Sequence, residues 1–136
     1  MKLSDIAVNV DAIEGGRWVS IDHIMPGVKL KVRGSENSDL RRLRNKLLQE
    51  IPRAQRLRGA GEETLEAIGT RLLAETVLVD WSGIEDENGE PLPFSKEKAA
   101  SVLGDPAMFV FKNAVEWAAG VVGDDEVVEA QEAAKN

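Results

Sequence analysis

The sequence predicts an α+β, mainly α fold, an N-terminal β-hairpin followed by about four helices packed as a small bundle. Three observations carry that prediction. Val28, Leu30 and Val32 alternate with Lys29, Lys31 and Arg33, the period-two pattern of a half-buried strand. Leu40, Leu43, Leu47, Leu48 and Ile51 recur at helical spacing. Proline, glycine and short polar residues then cut the rest of the chain into helix-sized pieces.

Taken in order, residues 1–14 lack periodicity and predict a poorly ordered N-terminal segment. Arg17–Ile21 and the alternating run after Met25-Pro26-Gly27 form the hairpin, with one cationic face. His23 is a turn or strand-edge residue beside Pro26. Asn37 or Ser38 can cap the helix that follows, because a short polar side chain there accepts an orphan backbone N–H. Pro52 ends or kinks it, and RAQRLRGAG, residues 53–61, reads as a basic linker. Glu62, Glu63 and Glu66 suit the start of the next helix, where the macrodipole favours negative charge. Its end, TVLVDW, fits either a deeply buried helical turn or a strand. Ser95 caps KEKAASVL, and Asp105-Pro106 opens a last helix with core face Val110, Ala114, Trp117, Ala118 and Val121. Phe109 falls opposite that face and is expected to be exposed. Residues 15–122 thus make a single globular domain, and 123–136 an acidic, disordered tail.

Composition limits the chemistry. Apolar residues make up 43% and charged residues 30% of the 136 positions, ordinary for a globular protein. Aromatics are only 4%, so Trp18, Trp81 and Trp117 should be the largest pieces of an aliphatic core. There is no cysteine and one histidine, which removes disulfides, thiolate metal sites and a convincing Ser–His pair. No apolar run approaches the roughly 20 residues a bilayer requires, and no signal-peptide core precedes the domain. The expectation is a soluble protein of the cytoplasm.

The net charge of −7 conceals an asymmetry: Lys29 to Arg58 holds ten basic and three acidic residues, whereas Gly59 to Asn136 holds five basic and seventeen acidic. Such a chain can bind something acidic, attract its own kind weakly, or neutralise itself on folding.

The stretch DWSGIEDENGEPLPFS, residues 80–95, is the densest in motif-like features. A calcium loop needs a carboxylate first, glycine sixth and glutamate twelfth. With Gly89 sixth, Ile84 stands first and Ser95 twelfth, so both end ligands fail. Catalytic carboxylates need a pocket that separates their pKa values, and Glu85, Asp86, Glu87 and Glu90 surround a solvated Asn-Gly turn. The sequence predicts no enzyme, cofactor or metal. A hinge fits better: Asn88-Gly89 reverses the chain, while Leu92 and Phe94 meet Trp81 and Ile84 in the core.

VLVDWSGI, the acidic NG turn, PLPFS and the Ala/Leu-spaced helix after them together resemble the tail assembly chaperones of long-tailed, siphovirus-type bacteriophages and prophages. The residues that carry the resemblance are Trp81, Gly83, Asn88, Gly89, Pro93 and Ser95. Upstream, KVRGSENSDLRRLRNK is similar to the family's strand leading into an Arg/Lys-rich helix, and the resemblance spans roughly residues 28 to 122. It implies a non-enzymatic role in the host cytoplasm: binding the phage tape measure protein, helping recruit tail tube subunits, and absence from the mature virion. Many such proteins also have a frameshifted long form. Arg41, Arg42, Lys46 and Phe109 are then the candidate partner-binding residues. The alternative is a small nucleic-acid-binding phage regulator using the basic 29–58 region, against which stand a pI near 4.8 and the absence of stacking aromatics there.

Overall fold

The computed structural model describes residues 1–135 and shows an α+β, mainly helical fold built on a three-stranded antiparallel sheet of order β1-β2-β3. The predicted hairpin is present: β1 (Arg17–Ser20) pairs with β2 (Lys29–Val32), in the register Trp18 to Lys31 and Val19 to Leu30. Leu30 and Val32 are fully buried while Lys29 and Lys31 stay half-buried on the other face, as the alternation requires.

The third strand resolves the ambiguity of TVLVDW. Helix α4 (Glu62–Leu72) widens into a π-helical turn over Leu73–Val77, and β3 (Leu78–Ser82) begins with no intervening loop. Both readings were partly right, because four of the five turn residues are buried and Leu78 and Trp81 then enter the sheet core. β3 pairs with β2, Leu30 against Trp81, with a register irregularity between Lys31 and Val32. Lys96 ties this junction down by donating from Nζ to the carbonyls of Ala74 and Leu78 at 3.4 and 3.2 Å. Partial burial, and secondarily the charge of Arg33, pushes its pKa below the usual lysine value.

Helix α2 (Ser38–Glu50) starts at a fully buried Asn37. Its side-chain oxygen accepts from Leu40 N–H at 2.8 Å, and its amide donates to the carbonyls of Gly34 and Thr76 at 2.8 and 2.9 Å. One side chain therefore caps a helix and pins it to the π-turn. Beyond Pro52 the expected linker contains a short helix, α3 (Arg53–Leu57). Helix α5 (Lys96–Gly104) is capped by Ser95, whose hydroxyl accepts from Lys98 N–H at 3.0 Å.

Helix α6 (Phe109–Val121) is rotated from its expected phase. It buries Phe111, Ala114, Val115, Ala118 and Ala119, while Val110 is exposed and Trp117 and Val121 are half-buried. Phe111 takes the central place by standing edge-on to Trp81, ring centroids 6.0 Å apart, and Trp117 meets His23 at the periphery. Trp18 is likewise not a core residue; it lies on the outer sheet face with 38% of its surface exposed.

Both ends are more structured than composition suggested. Helix α1 (Val10–Gly15) is capped by Asn9, and its Ile13 wedges against Gly34 and Gly123, each too close to admit a β-carbon. The segment predicted as a tail forms α7 (Asp125–Lys135), which packs along β1, and Val128 joins the core cluster. Two of its acids are paired with the sheet, Asp125 with Arg17 at 2.5 Å and Glu132 with Lys29 at 3.3 Å. Low hydropathy does not reveal this helix, because what places it is tertiary: Val128 in the core cluster, the Asn9 and Arg17 contacts of Asp125, and Lys29 against Glu132. The tail's last residue, Asn136, lies outside the described residues.

Candidate functional site: an apolar ridge beside an anchored hinge

The hinge is organised by hydrogen bonds. Asp86 Oδ1 accepts from the N–H groups of Asn88 and Glu90 at 2.8 and 3.1 Å, and Gly89 N–H returns to the Asp86 carbonyl at 3.0 Å. Asp86 N–H to Glu90 and Leu92 N–H to Ile84, both 2.8 Å, extend the reversal into a miniature ladder. Gly89 takes the positive φ of 78° that the Asn-Gly pair promised. At Gly83, φ is 85° and a β-carbon would stand 2.1 Å from the Gly27 carbonyl oxygen, so the hinge closes on the β1–β2 turn only with glycine there.

Trp81 fixes this loop to the core. It is 6% exposed, its indole N–H donates to the Leu92 carbonyl at 2.8 Å, and Phe94 stands edge-on at 5.0 Å. Glu85, Asp86, Glu87 and Glu90 all face solvent. Pro93 is exposed between the half-buried Leu92 and Phe94, and Ser95 starts α5.

Immediately across from the hinge the chain turns into α6. Asp105 Oδ1 accepts from Ala107 N–H at 2.9 Å, Pro106 occupies the first position of a single 3-10 turn, and Met108, Phe109 and Val110 emerge together. They are 44%, 62% and 46% exposed. Met108 and Val110 border a cleft of about 460 Å³ walled by Trp81, Ile84, Leu92 and Phe111 and rimmed by Glu85, Asp86, Glu87 and Lys98. Phe109 borders a second cleft, about 510 Å³, toward α4, with Glu63, Glu66, Asp105 and Lys112 around it. None of these six carboxylates is in an ion pair among the described residues.

The candidate residues do not form one site. Arg41, Arg42 and Lys46 lie exposed on α2, whereas Phe109 sits at the start of α6; α2 and α5 both pack on α4, which intervenes. Arg42 is tied to Asp39 at 3.1 Å, an exposed i,i+3 pair. Met108 and Val110 were missed as surface residues. The signal was present in MFVF: four consecutive apolar residues span some 300° of a helix, more than one face can bury.

The family model described as YdaY prophage protein matches residues 35–136, beginning two residues before the Asn37 cap of α2. No curated protein and no solved structure matches the chain. With three quarters of its length matched, the chain belongs to the YdaY prophage protein family.

Proposed function

We propose that this prophage protein is a non-enzymatic tail assembly chaperone, acting in the host cytoplasm by holding the apolar surface of the tape measure protein until tail tube subunits are recruited. The observation that carries this reading is the continuous exposed ridge Met108–Phe109–Val110 flanked by two clefts. Exposed contiguous apolar surface rimmed by charge is the usual mark of a protein-binding face. The prophage family and the resemblance carried by Trp81, Gly83, Asn88, Gly89, Pro93 and Ser95 support the same direction. Co-expression with the tape measure protein of the same prophage tests it. The expected outcome is a soluble, co-purifying pair that Phe109→Asp disrupts; a client equally insoluble with and without this chain contradicts the reading.

One observation favours a second reading. Between Arg41 and Arg58 lie seven cations and a single carboxylate, Glu50, and among the described residues only Arg42 of the seven forms an ion pair. A small nucleic-acid-binding regulator would use this strip to neutralise phosphates. Binding of labelled DNA or RNA that weakens steeply with salt, and that Arg41→Glu with Lys46→Glu abolishes, would favour it over the chaperone.

A further inference from the structure

We infer that the cleft between the hinge and α6 takes a basic amphipathic helix, its apolar side seated between Val110 and Ile84 and its lysines or arginines facing the acidic rim. The inference rests on the client-holding reading and adds the chemistry of the client. Three features lead to it. The cleft walls are apolar side chains from three separate elements: Trp81 from β3, Ile84 and Leu92 from the hinge, and Met108, Val110 and Phe111 from the turn and α6. Its volume of about 460 Å³ lies in the range of roughly 300–1,000 Å³ in which pockets bury a few side chains. Helices engage such grooves through anchors at i, i+3 and i+4.

Charge selects among helices. Glu85, Asp86 and Glu87 follow one another along the rim, faced by the single cation Lys98, and across the ridge Glu63, Glu66 and Asp105 outnumber Lys112. These carboxylates have no ion-pair partner within the described chain, unlike Asp125 and Glu132, which are matched by Arg17 and Lys29. Around the ridge, six carboxylates stand with two cations, Lys98 and Lys112, and none of the six is in an ion pair among the described residues. A cationic helix would complete the pattern, and an acidic one would be repelled.

The test uses the whole chain and three labelled helical peptides with one shared Leu/Phe face and a polar face of lysine, serine or glutamate, titrated at low and high salt. The expected order is lysine over serine over glutamate. The lysine peptide should bind about tenfold or more tighter than the serine one, an advantage that shrinks with salt. Val110→Asp discriminates further: it adds a carboxylate, so a purely electrostatic contact strengthens, whereas seating of an apolar face weakens about tenfold. Glu85→Gln with Glu87→Gln should shrink the lysine advantage severalfold and leave serine-peptide binding intact. Equal binding of all three peptides, lost in Val110→Asp, overturns the charge selection while the client-holding reading survives. Failure of all three to bind overturns both. Self-association of the chain alone, abolished by Val110→Asp in sedimentation, assigns the cleft to a second copy and overturns the basic-helix proposal.

Discussion

The hinge over residues 80–95 and the ridge over 105–110 are neighbours, and both mix apolar side chains with turn-forming residues, yet the fold uses them in opposite ways. In the hinge the apolar groups point inward and are locked: Trp81 is buried, its indole N–H is satisfied, and Phe94 and Leu92 pack beside it. In the ridge the local backbone is equally well made, with Asp105 capping and Pro106 leading, but Met108, Phe109 and Val110 stay outside. The difference teaches that the exposed apolar surface is not a by-product of a loose segment. A capped, ordered turn holds it in place. Substitutions of the hinge residues Trp81 and Gly83 should therefore cost stability, and substitutions on the ridge should cost binding.

The largest effects are expected in the hinge. Trp81→Ala should lower stability by about 3–5 kcal/mol, because the ring is core and its removal leaves a cavity. Gly83→Ala belongs in the same class: left-handed backbone strain costs of order 1–3 kcal/mol, and the collision with Gly27 adds to it. Chemical denaturation measures both, and a wild-type midpoint for either breaks the contrast between hinge and ridge. Next comes Asn37→Ala, expected to cost about 2–3 kcal/mol by stripping partners from Leu40 N–H and from the Gly34 and Thr76 carbonyls. It sharpens the comparison, since its effect should appear in stability with no separate effect on ridge binding.

The smallest expected effect lies at the α7 clasp. The Asn9 amide, and then Arg17, hold the Asp125 carboxyl below its ordinary value of 3.8. A depressed folded-state pKa contributes stability that is present above the ordinary value and lost as pH falls through the depressed one. Asp125→Asn should therefore melt slightly below wild type at neutral pH, and the two curves should converge in acid. Because the pair is solvent-exposed, the difference should also shrink in high salt.

Much of this architecture was legible in the residues. The alternation in Val28–Val32 placed a strand, the Leu stripe placed α2, and the Asn-Gly and Ser95 signals placed the hinge and the start of α5, because each rests on local backbone or period rules. What could not be read depended on tertiary partners. The π-turn into β3 forms where Leu73–Val77 is enclosed by neighbouring elements, and α7 docks where β1 offers Arg17 and β2 offers Lys29. The phase of α6 was ambiguous, since Phe111, Ala114, Val115, Ala118, Ala119 and Val122 recur at helical spacing as well as the stripe through Val110, and period alone does not choose between two apolar stripes that share Ala114 and Ala118. The ridge was half legible: Phe109 was expected outside, and Val110 was expected inside.

The central claim is that the ridge binds and does not support the fold. Phe109→Asp, measured for both thermal unfolding and retention of the tape measure protein in the same preparation, tests it most directly. The account predicts unfolding close to wild type, as surface substitutions usually give within about 0.5 kcal/mol, together with loss of the client. Unfolding at a markedly lower temperature, or full retention of the client by the intact variant, would contradict it.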